Sequence, residues 1–383
     1  MRILYANHTG SRSGAENAML RLLTGLSPEH DRAVACPPEG GLKDALLDRG
    51  IEQFDLPSAE LSVNLHPLQT GRGLARLLHA GASLFRIARR FRADVIHANS
   101  VRAGLVAQIA RRLGGPPVVV QCHDNLPRNR VGHLIRRGVA GAAAVVCVSD
   151  WTAREFNYGL AEPKAERVYI SVDRERFSPA ARGSTGIREE LGLSDSARLL
   201  AEVAQITPWK GQDTAIRSLP RIRERFDAHL LIVGDIAFSS QRYDNVGFLH
   251  SLEELVRELG VESAVHFFGR RDDIPELIGA IDLLLLPSWD EPFGLVVAEA
   301  ISVGTSVLVT ERGGVREYIK DGFNGRLLPP HEPAVWAEAA IELLDDPEAL
   351  ARMTRESSTT AEQFNDERYC REMLAIYERA ASA

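Results

Sequence analysis

The chain is poor in cysteine, and the four it has do not cluster. Cys36, Cys122, Cys147 and Cys370 form no Cys-x-x-Cys pair. That spacing argues against a disulfide framework and against a zinc site, and it suits buried thiols in a reducing cytoplasm. Long apolar runs are missing as well. No stretch reaches the length of a bilayer span, and the N-terminus MRILYANHTG lacks the charged-then-apolar form of a signal peptide. There is no internal repeat at a period of about 20–50 residues and no low-complexity tract, which excludes solenoids and disordered arrays. No nucleic-acid recognition motif occurs and the net charge is −7, so a nucleic-acid partner is not expected. Asp-x-Asp is also absent, and the chemistry is expected to need neither a metal nor a cofactor.

What is present is the composition of a soluble globular protein, at a length that calls for two or three domains: 383 residues, 45% hydrophobic and 25% charged. The charge is uneven. Residues 1–170 carry 22 Lys+Arg against 15 Asp+Glu, a surplus of +7, so the remainder carries −14. Arginines gather at Arg86, Arg89, Arg90 and Arg92 and at Arg128, Arg130, Arg136 and Arg137. Such clusters are candidates for peripheral contact with an anionic inner-membrane surface or a phosphorylated acceptor. A solvated helix face is the favoured reading of both clusters.

Apolar runs alternate with helical patterns from end to end, the signature of α/β folding with parallel sheets. In the first half the strands are expected at Arg2–Asn7, Ala33–Cys36, Asp94–Ala98, Val118–Cys122 and Val145–Ser149, with helices such as Ala15–Leu26, Leu74–Phe91 and Gly104–Leu113. A second series runs through Leu199–Val203, Leu230–Val233, Val265–Phe268, Leu283–Leu286 and Val307–Thr310. Between them Pro179, Gly183, Ser184 and Gly186 mark a linker. The expected division is a first domain over 1–175, a linker over 176–196 and a second domain over 197–360, followed by a C-terminal helical segment over 361–383. Two doubly wound, Rossmann-like domains facing a cleft is the simplest architecture, with ligands beyond the carboxyl ends of the strands.

The most informative stretch is Leu283–Leu328, LLLLPSWDEPFGLVVAEAISVGTSVLVTERGGVREYIKDGFNGRLL. The apolar run closed by Pro287 suits a strand buried on both faces. A loop follows, and then an apolar-periodic segment from Phe293 to Val303 that reads as a helix. Glu291 and Glu299, with seven residues between them, thus lie ahead of the helix and inside it. Six residues at about 1.5 Å each put them roughly 9 Å apart along the axis. The N–H groups of Phe293, Gly294 and Leu295 would form an anion-binding terminus, and Gly294 would let a ligand approach the backbone. Retaining glycosidases need carboxyl groups about 5–5.5 Å apart, so hydrolysis by this pair is rejected.

Glu291-Pro292-Phe293-Gly294 with Glu299, continued by Gly314-Val315-Arg316-Glu317 and Asp321-Gly322…Gly325, resembles the signature of retaining glycosyltransferases of family 4, the group 1 glycosyltransferases. The resemblance spans nearly the whole chain and implies the GT-B fold. It implies transfer of a sugar from a nucleotide diphosphate sugar, UDP-sugar favoured and GDP-sugar the alternative, to a small-molecule or lipid-linked acceptor, without metal. By resemblance Glu299 binds the ribose hydroxyls, and Glu291 and His123 contact the transferred sugar. The diphosphate is held by Lys210 and by the helix terminus at Phe293, Gly294 and Leu295. The departing phosphate takes the acceptor's proton on the same face, and the chain end crosses back onto the first domain.

Other constellations extend the match or depart from it. Gly10-Ser11-Arg12-Ser13-Gly14-Ala15-Glu16 has the spacing G-x-x-x-G, unlike the dinucleotide fingerprint G-x-G-x-x-G. It resembles the family's Gly-Gly-Ala-Glu loop, with Gly14 the donor-contacting residue, and Glu16 is expected to favour the helix dipole. His123 follows a strand, where neutral imidazole can donate or accept near pH 7; His8 and His97 have no motif. In Val203-Ala204-Gln205-Ile206-Thr207-Pro208-Trp209-Lys210-Gly211, Lys210 and Gly211 match the family's Lys-Gly, but Gln205 stands where arginine is usual. Glutamine keeps hydrogen bonding and loses a charge and a bidentate fork. Arg270, after Phe268-Gly269, sits where family members read the nucleotide base, and Asp272 and Asp273 are expected to cap the next helix. The rival readings are a GT-B sugar-nucleotide epimerase, disfavoured by Lys210 with the glutamate pair, and a nucleotide-sugar-binding protein without turnover.

Overall fold

The structure, a computed structural model, describes residues 1–58, 67–183, 186–236 and 243–382. Ser184 of the expected linker lies outside them. Two compact units emerge, Met1–Ser171 with Asp366–Ala383, and Val172–Asn365.

Among the described residues the first unit holds seven parallel strands: β1 (Arg2–Ala6), β2 (Asp31–Cys36), β3 (Glu52–Asp55), β4 (Val95–Ala98), β5 (Val118–Cys122), β6 (Ala144–Cys147) and β7 (Ala165–Arg167). Their order is β3-β2-β1-β4-β5-β6-β7. The crossovers are α1 (Gly14–Gly25), α2 (Leu42–Leu47), α3 (Pro67–Phe91), α4 (Val101–Arg112), α5 (Arg130–Val139) and α6 (Asp150–Asn157). Every residue of β4 and β5 is buried, as a parallel strand covered by helices on both faces requires.

The second unit opens with residues of the expected linker segment, which carry α7 (Ile187–Glu190) and pack inward: Arg182 Nη1 donates to the Gly304 carbonyl at 2.5 Å. Its strands are β8 (Arg198–Val203), β9 (Ala228–Val233), β10 (Val265–Phe268), β11 (Leu283–Leu286), β12 (Ser306–Thr310) and β13 (Arg326–Leu328), in the order β10-β9-β8-β11-β12-β13. The helices are α8 (Gln212–Arg223), α9 (Asn245–Glu258), α10 (Ile274–Ala280), α11 (Leu295–Val303), α12 (Pro333–Asp345) and α13 (Pro347–Ala361). Leu200, Leu230, Ile232, Leu283, Leu285 and Trp336 sit in one continuous apolar core of this unit.

The final helix, α14 (Asp366–Ser382), packs on the first unit. Tyr369 exchanges hydrogen bonds with Gln121, and Tyr377 Oη lies 2.8 Å from His97 Nδ1. His97 is thereby a core residue. In both sheets the order in which strands are added reverses in the middle, between β1 and β4 and between β8 and β11. Ligands of open parallel sheets bind at such switch points, outside the carboxyl ends of the strands.

Candidate active site

At the β8/β11 switch point two loops lie side by side. The loop after β8 ends in a 3-10 turn, Pro208–Lys210, and the Trp209 carbonyl accepts a hydrogen bond from the Trp289 N–H at 2.8 Å. This clamp sets Lys210 against Glu291. The ammonium donates to Glu291 Oε2 at 2.8 Å, with side-chain exposures of only 14% and 7%, and it sits 4.1 Å from the Trp209 ring centroid. Ser288 Oγ donates to the same carboxylate oxygen at 2.9 Å. Sequence reasoning missed Ser288, although it lies three residues before Glu291 in the motif.

Glu291 is fixed from below by backbone. Its N–H donates to the Arg312 carbonyl at 3.2 Å, and its own carbonyl accepts from the Gly314 N–H at 2.8 Å. Between those partners Gly313 has φ +108°, and a Cβ there would lie 2.0 Å from the Glu291 carbonyl oxygen. Glycine at 313 is therefore obligatory for the carboxylate's seat.

The helix after the motif starts later than expected, at Leu295 rather than Phe293, because Gly294 adopts a left-handed φ of +77° as its N-cap. The terminal N–H groups are those of Leu295 and Val296, and Glu299 is half-buried on the second turn. Gly294 is also required for packing: a Cβ would meet Val315 Cγ1 at 2.7 Å and Tyr318 Oη at 3.2 Å. The Tyr318 hydroxyl lies 2.6 Å from the Phe293 carbonyl oxygen and 3.0 Å from that of Gly294, so it donates into the turn. Phe293 is 3% exposed and packs against Tyr318 and Phe364, so its side chain holds the turn in place.

Gln205 is half-buried, and its carbonyl accepts from Gln212 Nε2 at 2.9 Å. Arg270 is exposed beyond β10. Arg271 instead is pinned, paired with Glu190 at 3.0 Å and Asp273 at 2.8 Å. Asp273 precedes α10 without a side-chain capping bond, because its carboxylate is engaged by Arg271, which also holds its pKa below the ordinary value. Asp273 thus holds the expected N-cap position, but without a side-chain capping bond.

In the first unit the loop after β1 leads to Ser13, the N-cap of α1, with Gly14 as the first helical residue. Glu16 does more than complement the helix dipole. It is 2% exposed, accepts from the Ser13 N–H at 3.1 Å, and closes a capping box. Its other oxygen accepts from Asn7 Nδ2 at 3.1 Å. Asn7 Oδ1 accepts from Asn99 Nδ2 at 3.1 Å, and Asn99 Oδ1 lies 3.2 Å from His123 Nε2. A polar chain, buried as far as Asn99, thus runs from Glu16 to the half-buried His123. Burial, reinforced by nearby His8, lowers the His123 pKa to about 4, so the ring is neutral near pH 7 and donates to Asn99 from Nε2. His8 is held by Ser100 Oγ at 2.9 Å.

Of the second arginine cluster, two members are engaged within the first unit. Arg136 is buried and donates to the carbonyls of Leu126, Pro127 and Glu155, while Arg128 pairs with Glu155. No helix among the described residues is long and apolar enough to cross a membrane.

Two Rossmann-like parallel-sheet domains of this kind are the GT-B architecture of sugar-transferring enzymes. HepE of Anabaena, solved in complex with UDP-glucose, superposes with a TM-score of 0.85 at 24% identity over 98% of each chain. Residues 12–176 match Glycosyltransferase Family 4 and residues 184–359 match Glycosyl transferases group 1. The D-inositol 3-phosphate glycosyltransferase of Salinispora arenicola is 29% identical over 312 residues, 76% of this chain and 69% of its own. The N-acetyl-alpha-D-glucosaminyl L-malate synthase of Bacillus anthracis is 28% identical over 311 residues, 78% of each chain. This chain belongs to the group 1 glycosyltransferases of family 4, and it is an enzyme of that kind.

Proposed function

We propose that the enzyme moves a hexosyl group from a nucleoside diphosphate sugar, a UDP-sugar in preference to a GDP-sugar, to a small-molecule or lipid-linked acceptor. Configuration is retained and no metal takes part. The observation that carries this reading is the Lys210–Glu291 pair beside the open terminus of α11. A diphosphate there meets an ammonium and the N–H groups of Leu295 and Val296, all aimed at the charge that grows as the leaving group departs. The bond between the anomeric carbon and the phosphate oxygen breaks, and a bond to the acceptor oxygen forms on the same face. The acceptor's proton passes to the departing phosphate oxygen, so no protein base is required.

In this scheme Glu291 takes hydroxyls of the transferred sugar, and Glu299 on α11 takes the ribose diol, since a carboxylate accepts two hydrogen bonds. Arg270 lies toward the base. In the first unit, the acceptor side, Gly14 and the neutral His123 keep the donor-contacting roles that the resemblance implies. The UDP-glucose complex of HepE supports the donor class, and the relatives named for inositol 3-phosphate and L-malate favour a small polar acceptor.

A thermal-shift screen over nucleoside diphosphates tests the donor, since a ligand at 100 times its Kd adds about 2.7 kcal/mol of stability. UDP release that depends on an acceptor, with retention at the product's anomeric carbon, is the expected result. Conversion of the donor without acceptor would mean epimerisation, and binding without release under any acceptor would remove turnover.

A further inference from the structure

Glu202 lies next to the last residue of β8, in a position that parallel-sheet packing reserves for apolar side chains. Two residues earlier Leu200 belongs to the apolar core, and Glu202 is in register with Ile232 of β9, another member of it. The residue is fully buried, and neither carboxyl oxygen has a hydrogen-bond partner among the described residues. Gln212 Oε1, on the first turn of α8, is also buried without a donor. The charged groups acting on Glu202 are Lys210 on the 3-10 turn, Asp213 on α8 and Glu291 beyond β11. Burial raises the Glu202 pKa well above the carboxylate range; Lys210 opposes that rise, while Asp213 and Glu291 add to it.

Among the groups acting on Glu202, Lys210 is the one cation, and its ammonium is already hydrogen-bonded to Glu291 at 2.8 Å. Between Ala204 and Gly211 Lys210 is the sole basic residue, since glutamine occupies position 205. An ionised Glu202 would be an unpaired buried anion competing for the same lysine, and it would repel a diphosphate. We propose that Glu202 is a positioning residue of the donor site, a buried acid that holds its proton and so leaves the Lys210 ammonium to Glu291 and to an incoming diphosphate. This rests on the reading in which Lys210 meets the diphosphate.

Glu202→Gln keeps the shape and makes neutrality permanent. A carboxyl whose folded pKa exceeds its unfolded value keeps a proton that the unfolded chain has lost. Stability from that proton is complete at low pH and declines as pH rises from about 4.3 toward the folded pKa, tenfold in the folding constant per pH unit. The wild type should lose stability relative to Glu202→Gln by that factor across pH 5–7 in urea unfolding, and parallel curves would overturn the proposal. At pH 7 Glu202→Gln should bind UDP at least as tightly as the wild type. A fivefold or greater loss would show that a carboxylate charge is needed to hold Lys210, and would also overturn it. If the variant does not fold, the infrared spectrum of the wild type at pH 7 decides: a protonated carboxyl band is expected, and its absence refutes the proposal. Lys210→Ala, titrated with UDP in parallel, separates the two ideas. Undiminished affinity there would sink the diphosphate reading, while unfolding and infrared still report the Glu202 proton.

Discussion

Replacing Glu291 by glutamine should tighten the binding of bare UDP while slowing transfer. The Lys210 ammonium is engaged by Glu291 at 2.8 Å, and Ser288 donates to the same oxygen at 2.9 Å. A diphosphate must share or displace that pairing. An amide at 291 still presents an oxygen to both donors, but it no longer neutralises the lysine. Removing one partner of a buried ion pair costs about 3–5 kcal/mol. Here a hydrogen bond survives and the ammonium keeps some solvent, so a loss of about 1–2 kcal/mol is expected. For a folding unit of this size that is a fall in Tm of roughly 2–8 °C. The released charge should strengthen UDP binding by about tenfold, ~1.4 kcal/mol. Calorimetric titration with UDP, and scanning calorimetry with and without it, measure both effects. A tenfold loss of UDP affinity would refute the reasoning, because it would make Glu291 the residue that holds Lys210 toward the phosphates rather than its competitor.

Gly294→Ala should destabilise the second unit by roughly 2–4 kcal/mol, combining a left-handed backbone with a Cβ pressed against Val315; a melting point within a degree of wild type would show that the turn relaxes freely. Gln205→Arg should raise diphosphate affinity by about 1.5–3 kcal/mol if its guanidinium is partly desolvated. Unchanged affinity in Gln205→Arg, Gln205→Lys and Gln205→Ala would place this side chain outside the donor site. Glu299→Ala should weaken plain UDP as much as the UDP-sugar, since its partner is the ribose, and titration with both ligands checks it.

Much of the architecture was legible because buried parallel strands write themselves as apolar runs. Val118–Cys122, Val265–Phe268 and Leu283–Leu286 form with the expected bounds, each closed by a turn or helix signal. The strands that escaped, Glu52–Asp55, Ala165–Arg167 and Arg326–Leu328, are short and lie at sheet edges, where they are less fully covered than the central strands and no apolar run is needed. The start of α11 was misplaced for a related reason. Phe293 continues the apolar pattern, but it does so by packing on Tyr318 and Phe364, residues remote in sequence.

The alternation of strands and helices, the glutamate pair with its Pro-Phe-Gly, and Lys210 in the loop after a strand can be read from the chain alone, because each is a local pattern with a local physical cause. Tertiary structure decided what those residues face. It set Lys210 on Glu291, 81 positions apart, by placing β8 beside β11. It also turned Gly313 into the floor beneath Glu291, linked Glu16 through Asn7 and Asn99 to His123, and gave Arg136 to carbonyl partners that spacing could not show. Side-chain charge is written in the chain, but the dielectric and the neighbour that give it meaning exist only once the sheet has brought distant loops together.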